Sequence, residues 1–461
     1  QPLHPRIVPK GTIGQDEFLD RVHKFTGISR SLLAGAMQSF QNELKDLLAN
    51  GWIVELGEIG YFSVSLQGPP VMHQKDVRAQ SIKLKNINYL PTKQFKREVG
   101  YDMRLERTES LTRPKGNGRS EAECLALRGF MHFDILRLFC ENIVNNPSAQ
   151  GIPYVDKYDL TVSPFLSAEA AYGRIIDDLK TAEGIMLKNG EYFDNADQQN
   201  NEFLKDRQIH MNLYAVQGML ARVYWMKGDL KTAAGYAQKV LDCGYFELAD
   251  KSEIEDLVNG VLSPKETIWG VFSATFYTNV RANLYLTGNA SCLFLKSDHD
   301  DTYLADKEGT DYRYEKWFKN YSAIEASGMR CVKILDTYEL TYSTRPDARV
   351  KGINMLRLPE LYYIITEYYL SLENQDEAVK YFDKVLQSRG LTGYADRQGA
   401  TLTLEKVIQE RRKELICEGQ YFFTQKRYNQ SIYEPKSGKL YPASNDIYVF
   451  PLPENETEYR Y

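Results

Sequence analysis

Long apolar runs are missing from this 461-residue chain. No stretch approaches the roughly 20 consecutive apolar residues that a membrane-spanning helix requires, which excludes a helical span within these residues. Cysteine is scarce as well. Cys124, Cys140, Cys243, Cys292, Cys331 and Cys417 lie far apart in sequence, with no CxxC pair and no nearby histidine, so neither a zinc site nor a dense disulfide framework is signalled. No Walker loop or GxGxxG follows an expected strand and no Ser-His-Asp arrangement is visible, which speaks against a nucleotide-dependent enzyme. Gln1 to Lys10 holds neither a charged-then-apolar leader nor a lipid-acceptor cysteine, and so leaves localisation open.

Aromatic surface, by contrast, is plentiful. The chain has 32 Tyr and 20 Phe, side chains that suit sugar or peptide recognition as well as core packing. With 43% hydrophobic and 26% charged residues the composition is globular, and the length allows two or three domains of roughly 100–200 residues. Charge divides unevenly: residues 1–115 hold 17 Lys/Arg against 12 Asp/Glu, and the remainder 40 against 50, so the two parts are expected to meet different partners. Between them, RTESLTRPKGNGRS (107–120) mixes Pro, Gly, Ser and charge without apolar periodicity and reads as an exposed connection. The expected boundaries are a first domain over 1–107, a linker over 108–117 and a second domain over 118–461.

In the first segment a short helical pattern covers Gln15 to Thr26. Ser29 then sits where an N-cap belongs, ahead of Leu32, Leu33, Ala36, Phe40, Leu44, Leu47 and Leu48 at helical spacing. After Asn50-Gly51 the period changes to two in WIVELGEIGYFSVSL, with Gly57 and Gly60 as a turn pair, and again in SIKLKNINYLP beyond Pro69-Pro70. The predicted order is helix, helix, hairpin, ribbon, final helix.

On LHPRIVPKGTIGQDEF (3–18), LLANGWIVELGEIGYFSVSL (47–66) and NINYLPTKQFKREV (86–99), residues 3–107 resemble the HU family of DNA-bending proteins, in a form found with extra domains. The resemblance implies a homodimer of intertwined chains whose basic β-arms enter the minor groove. Lys75, Arg78, Lys83 and Lys85 are the candidate phosphate contacts. The basic motif around a wedge proline at the arm tip is missing, so a scaffold or dimerisation role stands beside DNA binding, and phosphate contacts alone would give salt-sensitive, nonspecific affinity.

From Glu121 onward the pattern is helical for long stretches. In EAECLALRGFMHFDILRLF, Leu125, Leu127, Phe130, Phe133, Leu136 and Phe139 recur at three- and four-residue steps, and a second helix is expected within 164–186 after a long irregular insertion. Two later helix pairs overlay with a shift of 145 residues. Ala221, Tyr224, Ala233 and Ala237 correspond to Thr366, Tyr369, Ala378 and Phe382, and Asp229 to Asn374. Small residues there let paired helices approach, as in tetratricopeptide repeats.

Four stretches carry a second resemblance: GRSEAECLALRGFMHFDILRLF (118–139), NLYAVQGMLARVYWMKGDLKTAAGYAQKVLDCGYFEL (212–248), MLRLPELYYIITEYYLSLENQDEAVKYFDKVLQSRGL (355–391) and IQERRKELICEGQYFFTQKRYN (408–429), followed by VFPLPENE (449–456). In order and spacing they are similar to SusD/RagB proteins. The resemblance implies a surface lipoprotein of the outer membrane that sits on a SusC-like TonB-dependent transporter and captures glycans, or in some cases peptides, without turnover and without a cofactor. The lipid-bearing N-terminus of that family is not among these residues, and the HU-like segment stands where its first helices would. A nucleoid-type domain and an exported domain ordinarily occupy different compartments, so the competing expectation is a cytoplasmic DNA-binding protein.

Glu410, Glu414 and Glu418 share one helix with Arg411 and Arg412. Paired carboxylates of this kind serve glycosidases, but a general acid needs a raised pKa and neighbouring arginines hold carboxylates ionised, so a structural ion-pair lattice is expected. Asp298, Asp300 and Asp301 in SDHDD offer hard oxygen ligands without EF-hand spacing, and a solvated loop is the expectation there. The recognition surface is placed in the insertion from Val271 to Tyr321, where Phe276, Tyr277, Asn279, Arg281, Tyr285, Trp317 and Tyr321 interleave aromatic faces with planar hydrogen-bonding groups. The whole is expected to be mainly α, built of tetratricopeptide-like helix pairs with loop-rich insertions and preceded by a small α+β domain.

Overall fold

The computed structural model describes residues 13–68, 82–102, 119–157, 162–189, 206–254, 262–273, 279–280, 296–306, 308–322, 327–334, 352–434, 437–453 and 456. The chain divides into two compact units, Gln1–Thr112 and Arg113–Tyr461.

The first unit opens with helices α1 (Gln15–Thr26) and α2 (Arg30–Ala49). Ser29 caps α2 by accepting from the Leu32 amide, which satisfies one of the donors a helix start leaves open. Strands β1 (Val54–Glu55), β2 (Gly60–Gln67) and β3 (Lys83–Pro91) form an antiparallel sheet in which Phe62 pairs with both Val54 and Tyr89. Gly60 is obligatory at φ +143°, because a Cβ there would stand 2.4 Å from the Leu90 carbonyl oxygen. Helix α3 (Lys93–Asp102) closes the unit. Among the described residues of this unit only Leu19 and Leu48 are buried hydrophobics, while Phe25, Leu32, Phe40, Trp52 and Ile87 stay exposed.

In the second unit, α4 (Arg119–Phe139) and α5 (Ala168–Asn189) pack together, with the short strands β4 (Gln150–Pro153) and β5 (Phe165–Ser167) in the connection between them. Phe133 and Leu136 of α4 enter the core with Ala122 and Ala126, whereas Leu127 faces solvent. Arg128 donates twice to Asp178 at 2.6 Å and the Tyr154 hydroxyl donates to the same carboxylate at 2.5 Å, so the connection is pinned to both helices. Helices α6 (Leu213–Lys227) and α7 (Leu230–Leu241) form the first repeat pair. They are followed by β6 (Thr267–Val271), α8 (Lys296–Tyr303), α9 (Tyr312–Lys316), β7 (Phe318–Ser322), β8 (Ser327–Cys331) and β9 (Ile353–Arg357). The second repeat pair is α10 (Leu358–Ser371) and α11 (Gln375–Ser388). Then come α12 (Leu404–Glu414), α13 (Tyr421–Arg427), β10 (Ile432–Glu434), β11 (Lys439–Tyr441) and α14 (Asn445–Tyr448).

The repeats agree in detail. Asp229 and Asn374 both cap their second helices, accepting from the Thr232 and Glu377 amides, and both turns carry a left-handed residue, Gly228 at φ +90° and Glu373 at φ +56°. Tyr224 stacks on Tyr236 at 5.8 Å and Tyr369 on Tyr381 at 5.7 Å, while Ala221, Ala233, Ala237, Thr366, Ala378 and Phe382 are buried. α7 packs against α10, so the pairs stack into a two-repeat scaffold whose apolar core falls in two clusters, one around α6, α7 and α10 and one around α11. β9 crosses α6 closely enough that a Cβ on Gly218 would meet the Leu356 side chain at 2.5 Å.

Candidate functional site

The buried centre of the second unit is made of charge. Glu414, at the end of α12, accepts from Arg313 at 3.0 Å, from Arg357 at 2.8 Å and from Arg389 at 2.9 Å. Glu266 receives Arg357 at 3.0 Å and Arg389 at 2.8 Å, Glu410 receives Arg313 at 2.7 Å, and Glu418 receives Arg357 and Lys333 at 2.8 Å each. Burial by itself would raise the Glu414 carboxyl, but Arg389, Arg357 and Arg313 outweigh it and hold the group well below the usual carboxylate range. Glu410 is likewise lowered, with burial opposed by Arg313 and Lys413. A general acid needs a raised pKa, and the Glu410 and Glu414 carboxyls are shifted the other way. They fasten α12 to β6, β9, α9 and the end of α11.

The aromatic insertion is only partly as expected. Trp317, which the sequence places on the recognition surface, is instead 0% exposed, packed with Ile254, Tyr303, Phe318, Met329 and Cys331. The Lys333 ammonium lies 4.0 Å from its ring centroid, and its Nε1 donates to the Ile254 carbonyl at 3.5 Å. The burial has a simple cause. β7 begins at the next residue and pairs with β8, Phe318 opposite Cys331, which folds the indole under the ribbon. Asn279 is exposed, Tyr321 stands opposite Gly328 in the same ribbon, and Phe276, Tyr277, Arg281 and Tyr285 lie outside the described residues.

Asp298, Asp300 and Asp301 are on helix α8 rather than in a loop. The helix is held by Lys296, which donates to Asp300 at 2.7 Å one turn on, and by the Thr302 hydroxyl bonding back to the Asp298 carbonyl. The Tyr314 hydroxyl also donates to Asp300 at 2.8 Å, so that carboxylate is committed, and no cluster of three metal-ligating side chains occurs among the described residues. Of the basic residues proposed for DNA, Lys83 and Lys85 are exposed on β3, and Lys75 and Arg78 lie outside the described residues.

Where α8 and the residues after it meet α12 and α13, two cavities of about 660 and 620 Å³ adjoin through shared walls at Asp301, Thr302 and Arg412. The outer one is lined by Tyr421, Tyr433, Gln425 and Gln430, and the inner one by Tyr394, Phe382, Arg397 and Gln409. Arg412 is exposed and lies 5.5 Å over the Tyr421 ring, and Tyr433 is 56% exposed. Arg397 is tied to Asp306 at 2.9 Å and to the Thr392 carbonyl at 2.6 Å, so the inner floor is fixed. The groove thus offers flat aromatic faces flanked by amides and guanidinium groups, the same combination of residue types that the sequence places in the insertion. The run YFFTQKRYNQSIY (421–433) carries the same interleaving of ring and amide that singled out 271–321. That signal was available in the sequence.

Residues 1–107 match the family model described as HU domain fused to wHTH, Ig, or glycine-rich motif, and residues 271–459 match the model of the SusD family. No curated protein matches the chain. Among solved structures, a SusD superfamily protein from Bacteroides thetaiotaomicron superposes with a TM-score of 0.59 at 19% identity, covering 79% of this chain and 80% of that one. A SusD-like carbohydrate binding protein from Bacteroides vulgatus gives 0.56 at 20% identity, over 74% and 75%. Surface glycan-binding protein A from Bacteroides uniformis gives 0.54 at 14% identity, over 79% of each chain. Residues 271–459 thus match the SusD family model, the chain shares the fold of SusD-superfamily structures, and residues 1–107 match the HU-type model.

Proposed function

We propose that the second unit captures an oligosaccharide at the cell surface, without turnover, for a SusC-like TonB-dependent outer-membrane transporter. The observation that carries this reading is the tyrosine, amide and guanidinium groove between α8 and α12–α13 on a scaffold shared with proteins named for glycan binding. Sugars present apolar C–H faces ringed by hydroxyls, which Tyr421 and Tyr433 meet by stacking and Gln425, Gln430 and Arg412 by planar hydrogen bonding. The insertion residues Phe276, Tyr277, Asn279, Arg281, Tyr285 and Tyr321 remain part of the proposal, since α8 lies within that insertion and forms one wall of the groove. The paired carboxylates of α12 are consumed by arginines, which supports binding rather than hydrolysis.

Calorimetric titration against a glycan array hit tests this. Tyr433→Ala and Tyr421→Ala should each weaken binding about five- to thirtyfold, at roughly 1–2 kcal/mol per stacked ring, with Tyr433→Ala leaving the melting temperature unchanged. Unaltered affinity in both variants, or release of reducing ends from a polysaccharide panel, would overturn the reading. A peptide ligand is the competing outcome of the same titration.

A second reading has its own observation. The HU-type match over 1–107 and the exposed Lys83 and Lys85 on β3 support DNA binding through a homodimer. Gel-shift titration at 50 and 200 mM salt separates the two, because phosphate-driven affinity falls steeply over that range and its absence at low salt removes the DNA reading.

A further inference from the structure

A second charged cluster lies inside the second unit. Arg222 of α6 and Arg411 of α12 meet on one carboxylate, Glu360 of α10: Arg222 Nε and Nη2 donate to it at 2.8 and 2.6 Å, and Arg411 Nη2 stands 3.6 Å away. Trp225, one turn along α6 from Arg222, carries two guanidinium groups over its ring, Arg411 at 4.1 Å from the centroid and Arg427 of α13 at 4.8 Å. Its Nε1 donates at 2.5 Å to Glu367, two turns along α10 from Glu360, and Arg427 donates to the same carboxylate at 2.8 Å. No more than 8% of any of these side chains is exposed.

This cluster is short of negative charge. Arg222, Arg411 and Arg427 face two carboxylates, Glu360 and Glu367, which leaves a surplus of one cation. Its surroundings do not supply the missing anion. Arg137 of α4 takes up Asp134, and Lys426 donates to the backbone carbonyls of Arg137, Cys140 and Tyr448 rather than to a carboxylate. In the neighbouring lattice Glu266, Glu410, Glu414 and Glu418 are occupied by its own cations. Among the described residues, four donor nitrogens of the cluster have no acceptor: Arg222 Nη1, Arg411 Nε and Nη1, and Arg427 Nε. A guanidinium does not relieve such a surplus by losing its proton, and an uncompensated charge in a low-dielectric interior is strongly destabilising.

From this cluster we propose that α6, α10, α12 and α13 enclose a site for one small monovalent anion, chloride in ordinary solution, held by the free N–H groups of Arg222, Arg411 and Arg427. The open groups are all donors, which suits a halide, an acceptor that carries no proton. One surplus cation calls for one negative charge, whereas a sulfate or phosphate dianion would face Glu360 and Glu367 with an excess of their own sign. Water satisfies the donors but leaves the charge uncompensated. The two faces of α12 then have separate tasks: Arg411 turns inward to the anion, and Arg412, the next residue, lies over Tyr421 in the groove. The site is independent of the glycan reading and fastens α12 and α13 from behind.

Thermal melting of the 461-residue chain tests this, with chloride raised from about 5 to about 200 mM and ionic strength held constant with methanesulfonate, a bulkier monovalent anion. An anion that binds only the folded state should raise the Tm along a saturating curve, by about 2 °C or more, with bromide replacing chloride. Arg411→Met removes the surplus cation and two of the four free donors, and its Tm should no longer depend on the halide. If that variant does not fold, wild-type crystals soaked in bromide decide, with an anomalous peak expected within hydrogen-bonding reach of Arg222 and Arg411. A Tm that ignores the identity of the anion, a halide increment that survives in Arg411→Met, or water in place of a bromide peak at this cluster would overturn the proposal.

Discussion

Glu414 is fully buried and faces three guanidinium groups, so its value lies in what its removal would leave behind. Glu414→Gln strands Arg313, Arg357 and Arg389 in a low-dielectric interior, and should cost about 3–5 kcal/mol in urea unfolding. The pH dependence has a definite sign. The carboxyl is held below its unfolded value, so its stabilisation is complete above about pH 4.3 and is lost as pH falls through that value toward the folded one. The wild-type melting temperature should therefore drop steeply on acidification below pH 4.5, and Glu414→Gln should flatten that drop. Trp317 makes the contrasting case. As a core residue it should cost about 3–5 kcal/mol on truncation to Ala, where a stacking platform would cost almost nothing. Its position also shows where reading from sequence fails: an aromatic in a long insertion looks the same whether it faces a ligand or the underside of its own hairpin, and only the β7–β8 register decides.

At the scale of elements, the two repeat pairs were legible because everything that defines them is local. Cap, turn and helix-facing tyrosine fall within one pair, and the 145-residue shift repeats them. Removing one cap should therefore have a modest, local effect. Asn374→Ala frees the Glu377 amide at the start of α11 and should cost about 1 kcal/mol, read as a lower urea midpoint with an unchanged m-value. The lattice was legible only in half. The glutamates and arginines of α12 announced an ion-pair face, but the partners that matter, Glu266, Arg313, Arg357 and Arg389, come from four other segments that no spacing rule joins. The proposed groove was not legible for the same reason, since its walls, α8 and α12–α13, are distant in sequence. The acidic run on α8 read as a loop because four of its residues are poor helix formers, and the Lys296–Asp300 pair one turn apart supplies what propensity does not.

For the whole molecule the open question is what covers the first unit. Phe25 is 93% exposed, Leu32 65% and Trp52 64%, and these side chains lie on the helices and turn whose sequence pattern is plainly amphipathic. A pattern that selects apolar residues at helical spacing and then leaves them in water describes half an interface, because exposed apolar area on this scale marks a contact with another chain. A second copy of the same unit is the partner that the HU-family match favours. The 461-residue chain should then sediment at twice its 53.1 kDa mass at micromolar concentration. Leu32→Glu combined with Phe40→Glu places two charges on the exposed face of α2 and should give monomers, while the far-UV spectrum of the helical second unit and its glycan affinity stay as in the wild type. Loss of any gel shift in the same variant would tie DNA binding to the dimer. A wild-type chain that sediments as a monomer at these concentrations would refute self-association and require some other cover for Leu32, Phe40 and Trp52.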